Sequence, residues 1–258
     1  MLAVIGVFDS GLGGLSVLAE IRRAVPGADL LYVADRKRAP YGTRSLEEVR
    51  DFSTEIAGWL LDHGAGTVVV ACNTASAASL DDLRARHPGV PIVGMEPAVK
   101  PAAERTGTGV IGVFATAATF QGRLFDTTVL RWAEDKQVMA QACPAWVELV
   151  ERGIFDGPEA ESMIGPAVSA ALAAGADTLV LGCTHFSFLR PVISRLAGDS
   201  VDVIDPAPAV ARQTARVSGD SARGEGRVTL AASGDLDQFA DLVSLLGGWD
   251  DAEIVPYP

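Results

Sequence analysis

A chain of 258 residues, 48% apolar and only 21% charged, has the composition of a compact globular protein, built as one large α/β domain or as two domains of about 100–150 residues. Its formal net charge of −12 repels phosphate backbones and anionic membrane surfaces, which argues against nucleic acid as a partner. No stretch approaches the roughly 18 uncharged apolar residues of a membrane span, and the opening Met1–Phe8 lacks a basic leader and meets Asp9 too soon for a signal peptide.

In chain order, Val4–Phe8 reads as a strand, followed by the glycine-rich turn Asp9-Ser10-Gly11-Leu12-Gly13-Gly14 and a helical run to about Val25. The turn by itself is weak evidence for a nucleotide, since a tight strand-to-helix connection needs glycine anyway. Leu30–Asp35 is a second strand that leads into the basic loop Arg36-Lys37-Arg38 and the turn Pro40-Tyr41-Gly42-Thr43. A helix from about Leu46 to His63 precedes Gly64–Thr74, an apolar β-branched run that ends in Cys72-Asn73-Thr74. Val90–Pro97 closes this part of the chain.

The pattern then restarts. Val110-Ile111-Gly112-Val113-Phe114 repeats Val4–Phe8 letter for letter, and Gly175–His185 repeats the grammar of Gly64–Thr74, ending in Cys183-Thr184-His185. A third pairing matches Glu96-Pro97-Ala98-Val99 to Asp205-Pro206-Ala207-Pro208-Ala209-Val210. Three pairs at nearly one offset predict two related, pseudo-symmetric α/β halves. Runs that are apolar at every position are buried parallel strands, because only a strand covered on both faces can be so. The expected architecture is therefore two three-layer α/β/α domains with mainly parallel sheets, and a site in the cleft between them. The expected boundaries are residues 1–96 plus 206–258, with a returning tail that adds a strand near Arg227–Ala232 and a helix near Leu236–Leu246, and residues 97–205.

Polar clusters at the carboxyl ends of such strands are where α/β sheets bind ligands. Each cluster here carries a cysteine followed by a helical pattern, so each thiol is expected near a helix N-terminus, which favours a lowered pKa. Two thiols facing one cleft from opposite sides can remove a proton from one face of a carbon and deliver one to the other, which is what inversion of a stereocentre requires. Asp9 is placed to orient or deprotonate Cys72, and His185 to serve Cys183. Ser10, Asn73, Thr74 and Thr184 are short donors and acceptors suited to the carboxylates and ammonium of an amino acid, although Ser and Thr also cap helices at such positions. Cys143 reads as a small buried hydrophobe. Glu151, taken alone, reads as a solvated helix residue. Three cysteines without metal-ligand spacing, with no sign of secretion, read as reduced thiols of a cytoplasmic protein. No P-loop, dinucleotide fingerprint or metal constellation is present in the sequence, so chemistry without cofactor or metal is expected.

Four motifs in order carry a resemblance to a known family: Gly6-Val7-Phe8-Asp9-Ser10-Gly11-Leu12-Gly13-Gly14, Pro40-Tyr41-Gly42-Thr43, Ala71-Cys72-Asn73-Thr74-Ala75-Ser76 and Leu181-Gly182-Cys183-Thr184-His185-Phe186. From about Ile5 to Arg212 the chain resembles the glutamate racemases, cofactor-independent enzymes that supply D-glutamate for peptidoglycan. The resemblance implies Cys72 and Cys183 as the two acid/base groups, assisted by Asp9, Glu151 and His185. It also implies substrate contacts from Asp9, Ser10, Pro40, Tyr41, Gly42, Asn73, Thr74, Thr184 and His185, with Thr116 and Thr119 lining the site, and L- or D-glutamate as substrate of a homodimer. The chain departs from the family pattern at Phe186-Ser187, where Tyr-Pro is common, and in the basic character of Arg36-Lys37-Arg38. The residues alone leave open an aspartate racemase, a related isomerase or decarboxylase, and a non-catalytic amino-acid-binding protein. The resemblance implies non-racemizing relatives that lack one thiol, so the presence of both disfavours them. Which thiol serves which enantiomer is also left open.

Overall fold

The computed structural model describes residues 4–121 and 123–258. Its first sheet is built from β1 (Val4–Asp9), β2 (Asp29–Ala34), β3 (Ala65–Val70) and β4 (Ile92–Gly94), joined by helices α1 (Leu15–Ala24), α2 (Leu46–Asp62) and α3 (Asn73–Arg86). A second sheet contains β5 (Val110–Ala115), β6 (Gln137–Ala142), β7 (Thr178–Gly182) and β8 (Asp202–Ile204). Its helices are α4 (Val99–Arg105), α5 (Ala117–Gln121), α6 (Arg123–Trp132), α7 (Pro144–Glu151), α8 (Pro158–Ala173) and α9 (Phe186–Ala197). The tail adds α10 (Ala207–Val217), β9 (Val228–Ala232), α11 (Leu236–Leu246) and β10 (Glu253–Pro256).

The strand orders are β10-β9-β2-β1-β3-β4 and β6-β5-β7-β8. With the tail strands set aside, the two orders are the same, and β1 and β5, which share the sequence Val-Ile-Gly-Val-Phe, hold the same place in each. The strand pairs in both sheets are parallel. The sheets are therefore wholly parallel among the described residues, where the sequence predicts mainly parallel ones. The repeat also explains where the cysteines emerge: Cys72 lies just beyond β3 and Cys183 just beyond β7, the strand next to the central one in each sheet.

Alternation along the strands supplies a separate core for each face. Ile5, Val7 and Val69 pack with α1 residues Leu15, Leu18 and Ile21, while Phe8, Val68 and Val70 pack with Ile56 and Leu60 of α2 on the other side. In the second sheet, Phe114, Leu179 and Leu181 join Ile164 and Val168 of α8, whereas Ile111, Val113 and Val180 join Val99, Ala102 and Phe125. Two covered faces make each sheet the middle of three layers. Trp146 of α7 fills the space between Phe114 and Phe186, with ring centroids 5.0 and 4.9 Å away. Helix α2 starts where Ser45 and Glu48 form a reciprocal capping box, and its buried residues Val49, Ser53, Ile56, Ala57 and Leu60 recur at helical spacing. Truncating a fully buried residue such as Leu60 to alanine costs about 2–5 kcal/mol.

The tail packs on the first sheet. Strand β9 pairs with β2, β10 pairs with β9, and α10 lies against α1 through Ala207, Val210, Ala211 and Thr214. Besides β8 and the helices α4, α5, α6 and α8, two strands have no counterpart among the sequence expectations, β6 and β10. Both are edge strands with half-exposed patterns, so neither shows the unbroken apolar run that marks the central strands.

Candidate active site

Register brings the chemistry together. Phe8 pairs with Val70 and the Ala71 amide donates to the Phe8 carbonyl at 2.8 Å, so Asp9, Ser10 and Cys72 emerge side by side at the end of the first sheet. In the second sheet Ala115 pairs with Gly182, which sets Thr116 beside Cys183. Both cysteines line one cavity of about 170 Å³, together with Ser10, Pro40, Tyr41, Gly42, Asn73, Thr74, Thr116, Thr184 and His185. Asp9, Thr119 and Glu151 do not line it; each touches a residue that does.

The two thiols have unlike surroundings. Cys183 Sγ lies 3.7 Å from Nδ1 of His185, whose Nε2 lies 2.8 Å from Oε1 of Glu151. That same oxygen accepts the Leu12 amide at 2.7 Å, and Oε2 lies 3.5 Å from Nε of Arg36. Burial alone disfavours an imidazolium here, but the hydrogen bonds to Cys183 and Glu151 and their negative charge outweigh it and hold His185 well above its ordinary pKa. Burial likewise works to raise Glu151, yet the bonds from His185 and Leu12 and the charge of Arg36 keep it below the usual carboxylate range. Its side chain is 22% exposed, so Glu151 is not the solvated helix residue that its local sequence suggests.

The glycine-rich turn after β1 makes this relay possible. A Cβ on Gly11 would stand 2.2 Å from Oε1 of Glu151, and one on Gly13 would stand 2.3 Å from Nδ1 of His185. Neither position has room for a side chain. The turn is a packing surface for the second half's His–Glu pair, and the Tyr32 hydroxyl secures it by donating to the Gly11 carbonyl at 2.6 Å.

On the other side, Cys72 is the N-cap of α3: its sulfur accepts the Ala75 amide at 3.5 Å and lies 4.0 Å from the Ser10 hydroxyl. The expectation of a lowered thiol pKa is corrected here. Burial, reinforced by the negative charge of Asp9, pushes the Cys72 thiol well up, and the helix N-terminus offsets only part of it. Asp9 Oδ1 accepts from the Ser10 hydroxyl at 3.2 Å and the Gly11 amide at 2.9 Å, while Oδ2 accepts from the Thr184 hydroxyl at 2.8 Å. Its hydrogen-bonded route to Cys72 therefore passes through Ser10. Burial pushes Asp9 above the usual carboxylate range, with the His185 charge and the Thr184 hydroxyl pulling it back.

The remaining wall is polar. The Thr74 and Thr116 hydroxyls are 2.9 Å apart, and Thr119, behind them, is 2.9 Å from Thr116 and 3.5 Å from Thr74. Tyr41 donates to Oδ2 of Asp35 at 2.5 Å, and Asp35 also accepts from Arg38 and Ser233, which fixes the Pro40–Gly42 loop. Asn73 stands apart: it is 3% exposed, lines the cavity, and neither its amide nitrogen nor its oxygen has a hydrogen-bond partner. A buried amide with both ends unpaired is costly unless a ligand pairs with it. Cys143 sits apart from the cavity, with its thiol pushed up to about 12 by burial.

Sequence reasoning missed Pro144, Val147 and Glu148, which line the cavity from α7, and Asp35 and Arg36 behind it. A signal existed for two of them. Val147 and Glu148 precede Glu151 by four and three residues, which puts all three on one face of a helix. Among the described residues no three His, Cys, Asp or Glu side chains gather as metal ligands. No helix of the described residues is long and apolar enough to cross a membrane.

Chemically, the arrangement offers two thiols to one small polar cavity, one backed by an imidazole and carboxylate and the other by a hydroxyl and carboxylate. The chain is 50% identical over 250 residues to the glutamate racemase of Roseiflexus sp. strain RS-1, covering 94% of this chain and 91% of that one. The crystal structure of Escherichia coli glutamate racemase in complex with L-glutamate and the activator UDP-MurNAc-Ala superposes with a TM-score of 0.87 at 29% identity, covering 99% of both chains. The glutamate racemase of Thermus thermophilus, in complex with β-chloro-D-alanine, gives a TM-score of 0.81 at 36% identity and covers 99% of this chain and 97% of that one. Residues 5–214 match the model of the Asp/Glu/hydantoin racemase family, and the chain belongs to that family.

Proposed function

We propose that this protein is a glutamate racemase, an isomerase that interconverts L- and D-glutamate by proton transfer at Cα between Cys72 and Cys183. The observation that carries the reading is that these two cysteines, from equivalent places in two sheets of the same strand order, line a single cavity whose wall includes the unpaired amide of Asn73. Identity of 50% to a glutamate racemase over nearly the whole chain supports glutamate as the substrate.

In the proposed reaction one sulfur, as thiolate, takes the Cα proton from one face while the other, as thiol, delivers a proton to the opposite face. After one turnover the two sulfurs have exchanged protonation states. The high Cys72 pKa makes that residue a thiol at rest, ready to donate. His185 is placed to take and return the proton of Cys183, with Glu151 holding its ring and compensating its charge. Ser10 links Cys72 to Asp9. Asn73, Thr74, Thr116, Thr184 and the Tyr41–Gly42 turn offer the donors that two carboxylates need, while Asp9 accepts hydrogen bonds at the joint between the halves. The reading extends to a cofactor-independent reaction in the cytoplasm, where three free cysteines stay reduced, with D-glutamate destined for peptidoglycan and the enzyme a homodimer.

The test is direct. Purified protein without added cofactor should convert L-glutamate to the racemic mixture and carry solvent deuterium into Cα, and Cys72→Ala or Cys183→Ala should each abolish racemization. Full racemization by either variant, or a clear preference for aspartate, refutes the reading.

A further inference from the structure

The basic loop that departs from the family pattern has an inward-facing member. Arg36 is 11% exposed at its side chain. Its Nη1 donates to the Asp235 carbonyl at 3.2 Å, its Nη2 donates to Oε1 of Gln238 at 3.0 Å, and its guanidinium carbon lies 5.8 Å from the centroid of the Phe239 ring. The remaining nitrogen, Nε, is buried without a hydrogen bond and lies 3.5 Å from Oε2 of Glu151. The tail helix α11 thus holds a guanidinium against the outer oxygen of a carboxylate whose inner oxygen binds His185.

Arg36 does not line the cavity that holds the cysteines. It lines a neighbouring space of about 300 Å³ that shares Ser10, Pro40, Val147, Glu148 and His185 with that cavity. Its contact with the catalytic groups is through Glu151. The charged and titratable groups around the His185–Glu151 pair are Asp9 from β1, Tyr32 from β2, Glu148 from α7, Lys37 from the basic loop, Asp235 at the start of α11, and Cys72 and Cys183 at the strand tips. Among the described residues, Arg36 and His185 are the cationic side chains within ion-pair distance of Glu151.

We infer that Arg36 is a positioning residue for racemization: clamped by α11, it orients Glu151 and sets how tightly the Cys183–His185–Glu151 unit holds its proton. The inference rests on the racemase reading above. A fixed positive charge beside the unit disfavours an added proton, so removing it lets the unit keep that proton to higher pH. The outer oxygen of the carboxylate also loses its ionic neighbour, so Glu151 is held through its inner oxygen alone, by the Leu12 amide and His185.

The experiment compares Arg36→Met, which removes charge and hydrogen bonds, with Arg36→Lys, which keeps the charge. In Arg36→Met, kcat should fall about tenfold with KM for glutamate changed by less than about twofold, because Arg36 touches no substrate. The alkaline limb of the kcat/KM profile should move up by about half a pH unit or more, and Arg36→Lys should restore it. The His185 ring resonances, followed by NMR, should titrate at correspondingly higher pH in Arg36→Met. If that variant does not fold, Arg36→Gln, also neutral, reports the same two shifts. An unmoved alkaline limb and unmoved His185 titration in a folded neutral variant overturn the inference, as does a lysine variant displaced as far as the methionine one. The NMR titration needs no turnover, so failure of the parent protein to racemize glutamate is told apart from failure of the role given to Arg36.

Discussion

The Thr184 hydroxyl donates to Oδ2 of Asp9 across 2.8 Å, joining the tips of two sheets through residues 175 positions apart in the chain. The bond links the carboxylate that reaches Cys72 through Ser10 to the residue that follows Cys183, so the two thiol environments are mechanically one unit. They are not chemically alike. Cys183 is served by an imidazole–carboxylate pair and Cys72 by a hydroxyl and a helix N-terminus. A pseudo-symmetric scaffold therefore presents an asymmetric pair of acid/base groups, and the kinetics of the two directions should differ in kcat and KM separately.

Glu151→Gln keeps the shape of the side chain and removes its charge. His185 keeps Cys183 but loses the carboxylate that joins Cys183 in raising its pKa, and its NMR titration should move to lower pH, while kcat falls about 10- to 100-fold. The effect on stability has a window. His185 is raised in the folded protein, so its contribution is full below its ordinary pKa and is lost as pH rises through the folded value. Glu151 is lowered, so its contribution holds above its ordinary pKa and is lost as pH falls through the folded one. Urea unfolding should show the variant's deficit largest at pH values between the ordinary pKa of Glu151 and the ordinary pKa of His185, fading as pH falls through the folded Glu151 value or rises through the folded His185 value.

Gly13→Ala introduces a methyl 2.3 Å from Nδ1 of His185, so the imidazole must shift from the position that brings it to Cys183. A displacement of about 1 Å at a catalytic group costs on the order of 100-fold in rate. The variant should lose that much kcat/KM while its circular dichroism spectrum matches the parent's.

Asn73→Ala removes a buried amide whose nitrogen and oxygen have no partner within the protein. KM for glutamate should rise about tenfold or more, as expected for loss of one or two hydrogen bonds to a charged ligand. Unfolding free energy without glutamate should stay level or rise by about 1 kcal/mol, because a buried unsatisfied group has gone. A stability loss without any change in KM would remove Asn73 from the substrate site.

Cys143→Ala is the contrasting control. This thiol is buried in the core, donates only weakly to the Gln141 carbonyl at 3.6 Å, and lines no part of the cysteine-bearing cavity. Racemization should stay within about twofold of the parent, with a stability loss of about 1 kcal/mol from the vacated volume.

Much of the site was legible before folding was considered. The repeated strand vocabulary ending in Cys72 and Cys183 determined that both thiols occupy strand tips, because buried parallel strands must be apolar throughout and their first polar residues fall at the carboxyl end. The edge strands β6 and β10 were not legible, since a strand with one exposed face carries no unbroken run. Tertiary structure alone decided that Glu151 holds His185, that Gly11 and Gly13 are bare so that this pair can approach, and that Arg36 turns inward onto α11. It also decided that Cys72 has a raised pKa, since burial depends on the whole surrounding shell and outweighs the helix end that the local pattern announces. Local pattern determines which atoms reach a strand tip; contacts between residues distant in the chain decide what charge those atoms can carry there.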